Sequence, residues 1–465
     1  MMARMTNALE PIWRAAGLPA DALDHLGLTG QDPVLPSSFA VGCAAQTSLA
    51  AAALAATQIG VRRNGLQQQV QVDMRRAALE CAGRFEIDGR APELWDKIAG
   101  LYACGDARWV RLHTNFAHHR DGVLRLLGLP LGADTPREAV AAALRGWKAF
   151  DFEAAAAQAG LVVAAVRSFD EWDAHAQRTA IAAQALVAIE RIGDAPPLAW
   201  PALARDASPL HGLRVLDLTR ILAGPVGGRT LAAYGADVML VNSPNLPNIE
   251  AIIDTSRGKL SALADLREPA GRDGLRAVLG DAHVFVQGYR PGSLAALGFA
   301  PADVPAVRPG IVMVSLSAYG EVGPWAGRRG FDSLVQSATG FNDTEAQAAG
   351  SVQPKALPMQ ILDMATGFLI AFGAQAALLR QQLEGGSWHV RVSLARTGQW
   401  LRELGRVEHG FDAPPADFTG LMETTASGYG ELTAMRHAAE FSHTPARWTR
   451  PSVPPGTNPL AWPAA

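Results

Sequence analysis

The segment from Leu213 to Val241 reads LRVLDLTRILAGPVGGRTLAAYGADVMLV. LRVLDL is a short, largely apolar run, the pattern of a buried strand. The loop TRILAGP follows, then a helix from about Val226 to Tyr234, which Gly235 closes. DVMLV is the next strand, so the whole is a β-α-β unit. The alternation continues through the helix EPAGRDGLRAVLG, the strand HVFVQG, the short helix SLAALG and the strand IVMVSLS ending at Ser317. Buried strands separated by helices predict an α/β fold with a doubly wound, Rossmann-like parallel sheet. TRILAGPVGG lacks the glycine spacing of a dinucleotide fingerprint, so a nicotinamide cofactor is not expected.

Upstream, residues 196–212 carry the prolines and turn residues of a linker. Residues 1–195 are mostly helical and form an additional helical or α+β domain. The main domain covers residues 213–400, and residues 401–465, rich in Pro, Gly, Thr and Ser, read as an extended tail. Two segments resemble each other, Ala40–Ala78 and Met364–Gly398. Each runs from an Ala/Leu-rich helix through a Gly-containing turn to a V-x-V strand (VQVDM, VRVSL) and a further helix. Taking Gly42 and Gly367 as equivalent helix openings puts Ser38 opposite Asp363.

The chain has 465 residues, 49% hydrophobic, with a net charge of −3, and is long enough for more than one core. It has no basic tail, so nucleic acid is not expected as a partner. The N-terminus lacks the apolar core of a secretory signal, and the apolar run Ser48–Ile59 is too short to span a bilayer, which takes roughly 20 residues. Three widely spaced cysteines, Cys43, Cys81 and Cys104, fit a reduced cytoplasmic setting. His113, His118 and His119 lie in a polar stretch without acidic or Cys partners at ligand spacing; they read as solvated surface, and no metal is expected.

Several words in fixed order resemble the family III CoA-transferases, the carnitine and bile-acid CoA-transferase type. They are PLHGLRVLDLTRILAGP, LAAYGADVMLV, SRGKLSALADLREPAGRDGLRAVLGDAHVFVQGYRPGSLAALGF, RPGIVMVSLSAYGEVGPWAGRRGFD, LDMATG and HVRVSL. GDARWVRLHTNFAHHRDGVLRLLGLP, EAAAAQAGLVVAAVRSFDEW and QALVAIERIGDAPP resemble parts that normally follow the catalytic aspartate, so the order is rearranged or partly duplicated. The resemblance implies an enzyme moving CoA between an acyl-CoA and a carboxylic acid, with CoA as substrate, no metal, and a homodimeric assembly. Asp363 would be the nucleophile, and Ile221, Leu222, Ala223, Ala264, Tyr289, Arg290 and Tyr319 would line the CoA site. Asn242, Ser243, Gly288 and Leu260 depart from the family's usual anchors.

Read from the residues alone, Asp363 stands between apolar neighbours at the mouth of an apolar helix, where backbone N–H groups favour an anion. A helix N-cap explains it as well as catalysis does. A carboxylate can attack a thioester and carry the acyl group as an anhydride without a metal, which is the chemistry CoA exchange needs. Two alternatives stay open. One is a racemase or epimerase of the same superfamily, disfavoured because Gly330-Phe331-Asp332 has Phe where those enzymes carry a basic His. The other is a non-catalytic, degenerate relative.

Overall fold

The computed structural model describes residues 2–463. From the N-terminus it runs α1 (Met2–Ala15), β1 (Leu26–Thr29), the long helix α2 (Val41–Asn64), β2 (Val70–Asp73), α3 (Met74–Cys81) and β3 (Phe85–Ile87). A small α+β module follows: β4 (Gly100–Ala103), β5 (Trp109–Leu112), α4 (Ala117–Leu126), α5 (Arg137–Leu144), α6 (Ala149–Gln158) and β6 (Val163–Ala165). Helices α7 (Phe169–Asp173) and α8 (Ala176–Ala182) lead to β7 (Ala188–Gly193).

After the Pro-rich stretch come β8 (Arg214–Leu218), α9 (Ala223–Ala233), β9 (Asp237–Asn242), α10 (Ile252–Thr255), β10 (Lys259–Leu263), α11 (Pro269–Leu279), β11 (Val284–Gln287), α12 (Val304–Val307) and β12 (Val312–Ser317). The order continues with α13 (Asp332–Ala338), α14 (Phe341–Ala348), the long helix α15 (Ile361–Glu384), β13 (Ser387–Ser393), α16 (Leu394–Glu403), β14 (Met422–Ser427), β15 (Gly430–Met435) and β16 (Ala439–Phe441). Strands β10-β9-β8-β11-β12-β13 form a parallel sheet, and β7 adds antiparallel at its β13 edge. The sheet is the doubly wound one expected of an α/β fold, with helices supplying its covers.

α15 is long and apolar enough to cross a membrane, yet its apolar stretch lies wholly inside the protein. It packs between α9 and α2, and α2 is itself buried from Val41 to Gly60 except at the half-buried Cys43. The proline-rich stretch therefore separates the two parts in sequence but not in space. A helix apolar all round must be covered all round, and part of the cover comes from residues before the linker. The segment 401–465, read as an extended tail, is instead tied into the fold. β14 and β15 form a hairpin that pairs with β3, and β16 pairs with β2.

The repeat exists in a different register from the one the glycines suggested. α2 and α15 both have 24 residues and both end at a glycine of positive φ, Gly65 at 71° and Gly385 at 67°. Aligning these stops makes Val70-x-Val72 coincide with Val390-x-Val392 and sets Cys43, not Ser38, opposite Asp363. The C-terminal glycines fix the register because left-handed backbone there is a stereochemical need. Gly367 answers a different need: a Cβ on it would stand 2.7 Å from the Ala223 carbonyl and from Val226, so it sets the approach of α15 to α9.

Under the loop between β8 and α9 lies a fully buried ion pair, Lys259 Nζ to Asp217 Oδ2 at 2.8 Å, both side chains at 0% exposure. Lys259 also donates to the Pro225 carbonyl at 2.8 Å, and Asp217 Oδ1 accepts from Thr219 N–H (3.1 Å) and Oγ1 (2.5 Å). Strand β10, strand β8 and both ends of the loop are thus held by one pair. Removing one charge strands the other in the core, so Lys259→Met is expected to cost about 3–5 kcal/mol of stability. Asp217→Leu in the same chain should recover most of that loss, as read by urea denaturation midpoints.

Candidate active site

Asp363 is the third residue of α15, whose N-cap is Gln360, so it is not the helix N-cap. Its backbone N–H donates to Asp332 Oδ2 at 2.9 Å, and Gln336 Nε2 donates to Asp332 Oδ1 at 2.5 Å. Two buried aspartates therefore sit side by side. Burial, and then the neighbouring Asp332 carboxylate, hold Asp363 well above the usual carboxylate range, while the backbone N–H of Ala223 at the start of α9 works the other way. Burial likewise raises Asp332, against the N–H groups of Asp363 and Leu362 and the amide of Gln336. Two like charges in one dry site cannot both ionise readily.

Asp363 opens into a cleft of about 330 Å³ at the C-terminal ends of β8, β11 and β12. Of the residues expected there, Ile221, Leu222, Ala223, Tyr289 and Arg290 line it. Ile221 holds φ at 76°, a left-handed conformation strained for a β-branched residue. Ala264 lies outside the cleft, in the core cluster beneath β9 and β11. Tyr319 is 2% exposed and packs edge-on against Trp325 at 5.0 Å, so it is a core residue rather than a lining one. Its hydroxyl is pushed up to about 12 by burial.

Two of the three histidines are not solvated surface, while His118 is exposed as expected. His113 and His119 are each 4% exposed, and His113 stacks on Phe331 at 4.0 Å. The first turn of α4 folds back over the loop before α13, which takes this polar word out of water. His118, His119 and Phe116 line the cleft opposite the β8–α9 loop, and His119 Nε2 faces an Arg329 N–H at 3.1 Å. Arg220, Arg328 and Arg329 also line it. Arg328 pairs with Glu153 at 3.0 Å, but among the described residues Arg220, Arg290 and Arg329 form no carboxylate pair. Burial, then the adjacent His118, Arg329 and Arg220, lower His119 to about 3, so it stands neutral. The cleft is thus cationic around one carboxylate, a field that collects anions.

The arginines of the RRG word at 328–330 were visible in the sequence, but their direction was not. Asn242, one of the departures from the family's anchors, is buried at the end of β9 with neither amide atom bonded to protein.

Residues 210–404 match the sequence model of CoA-transferase family III. An acyl-CoA transferase of Gibberella moniliformis is 30% identical over 367 residues, 70% of this chain and 64% of the relative. The succinate–glutarate CoA-transferase of Agrobacterium fabrum is 31% identical over 205 residues, 40% of this chain and 51% of the relative. A crystal structure of a CAIB/BAIF family protein from Brucella suis is 26% identical, covering 48% of this chain and 65% of that one, with a TM-score of 0.39. The chain spans between half and two thirds of the length of these curated relatives. The resemblance read from the sequence is thus matched by the CoA-transferase family III model over residues 210–404.

Proposed function

We propose that the protein moves CoA from an acyl-CoA to a free carboxylic acid, with Asp363 as the covalent nucleophile. The observation that carries this is a single carboxylate, Asp363, lining an otherwise cationic cleft within the family segment. Its carboxylate attacks the thioester carbonyl; the C–S bond breaks and the acyl group is held as a mixed anhydride. The departing CoA thiolate attacks the aspartyl carbonyl, releasing the donor acid and leaving an aspartyl-CoA thioester. The acceptor carboxylate then attacks that thioester, and the thiolate returns through the new anhydride to give the product acyl-CoA and free Asp363. The unpaired arginines suit the phosphates of CoA, and the N–H of Ala223 suits charge developing on oxygen. A raised nucleophile fits this chemistry, since burial withholds hydration from the attacking anion.

Racemisation keeps one supporting observation: an imidazole, His119, lines the same cleft, although a pKa of about 3 makes it a weak base. Acyl-CoA incubated with enzyme in D2O separates the readings, because deuterium at the α-carbon requires proton abstraction and CoA transfer does not.

Asp363→Asn is expected to lower transfer by roughly 1000-fold or more while CoA affinity holds, since the isostere keeps the shape and loses the nucleophile. Mass-spectrometric CoA exchange between acyl-CoA donors and free acids reads this, and full activity in the variant would end the assignment. The attacking form is the ionised one and its carboxyl is held high, so kcat/KM should rise with pH along an acidic limb lying well above pH 4. Asp332→Asn removes the like charge and should move that limb to lower pH by roughly one unit. An unmoved limb in the pH–rate profile would show that Asp332 does not set the ionisation of Asp363.

A further inference from the structure

From the long helices through the V-x-V strands to the helices that follow, the matches between the two parts of the chain fall at one step of 320 positions. Val41 and Ile361 open the long helices, Gly65 and Gly385 stop them, and Val70 and Val390 enter the V-x-V strands. Asp73 and Ser393 end those strands and cap the next helices through their side chains, accepting from the N–H groups of Arg76 (3.1 Å) and Arg396 (3.3 Å). The positions of Cys43 and Asp363 receive the same support: Cys43 N–H donates to Asp32 Oδ2 and Asp363 N–H to Asp332 Oδ2, both at 2.9 Å.

The surroundings repeat as well. β2 pairs parallel with β1 on one side, as β13 pairs parallel with β12. On the other side each takes an antiparallel strand from the opposite part of the chain: β16 joins β2, and β7 joins β13. The two parts have exchanged their returning strands. α2 and α15 face each other across the junction, where Gln375 Nε2 donates to the Ala52 carbonyl at 3.0 Å.

What each part lacks, the other has. Among the described residues the first part carries no counterpart of β8–β11, and it has Cys43 where the second has Asp363. The second part passes from α16 to β14 by a short connection, where the first carries the α+β module between α3 and β7. That module supplies Phe116, His118 and His119 to the cleft of Asp363.

We propose that the chain is an internal pseudo-dimer, two diverged copies of one unit interlocked by strand exchange, and that it works as a monomer with a single site. The first copy takes the place of a partner subunit, and its module closes the Asp363 cleft within the same chain. The surfaces a homodimer of such units needs, the α2 and α15 faces and the open edges of β2 and β13, are already occupied internally. The functional part of this inference rests on the Asp363 reading; the assembly part does not.

Light scattering on the full chain should give 49.0 kDa at every concentration, and a doubled mass would overturn the proposal. A protease site inserted between Arg205 and Asp206, in the exposed linker, allows the chain to be cut once. The nicked protein should run as two fragments under denaturing conditions and as one particle of unchanged mass under native ones; fragments that part without denaturant would overturn the strand exchange. Co-expressed Asp363→Asn and His119→Ala chains should show no more transfer than the sum of the two made separately, and an excess would mean that sites are shared between chains. The two mass measurements are independent of activity, so a wrong nucleophile and a wrong assembly give different results.

Discussion

Everything in this protein is arranged around one constraint: two 24-residue helices, α2 and α15, that are apolar on nearly all sides and must be buried on nearly all sides. Neither can be covered by a single sheet, because a sheet covers one face only. Packing the two against each other solves half of the problem for both. The remaining faces are closed by α9 and the seven-stranded sheet around α15, and by α1, α3 and the three-stranded sheet around α2. Small residues permit the close contacts, and Gly367 with Gly227 brings α15 near enough to α9 for Asp363 to sit against the N–H of Ala223.

The polar groups inside this core are paired across the same junction. Glu80 on α3 accepts from the Ala438 N–H at 2.8 Å and faces Arg229 on α9 and His437. Burial would raise its carboxyl, but His437 and Arg229 outweigh it and hold it at about 2. His437 in turn meets the Tyr234 hydroxyl at 3.0 Å. A buried charge without partners is far costlier than one with several, so these groups tie the segment before the linker, the main domain and the last strands into one register.

Around the cleft the balance runs the other way. Arg220, Arg290 and Arg329 have no carboxylate counterpart among the described residues, burial and then the cationic neighbours make His118 and His119 harder to protonate, and the one lining acid is held protonated more readily than usual. Such a site gives up stability that pairing would have supplied. The same arrangement leaves it open to an anionic ligand, whose charge would relieve the repulsion among the cations.

Local pattern was enough to read the sheet. LRVLDL, DVMLV, HVFVQG and IVMVSLS all lie on observed strands, because buried parallel strands are apolar runs bounded by turns and that signal is local. KLSAL, the edge strand β10, was missed because its first residue is a lysine, and only the buried Asp217 explains a lysine there. Asp363, Tyr289, Arg290 and the loop Ile221–Ala223 were legible because the words holding them are contiguous. His118 and His119 were not, since their place in the cleft depends on a module some 200 residues upstream folding back onto the main domain. The repeat was visible, but its register was not: Gly42 and Gly367 look alike in sequence, while only the left-handed stops at Gly65 and Gly385 and the pairing of β2 and β13 show which residues are equivalent. Sequence by itself determined the elements, because propensity and periodicity act over a few residues. Tertiary structure decided which elements share a sheet and which side chains share the cleft, because burial and charge pairing act between residues far apart in the chain.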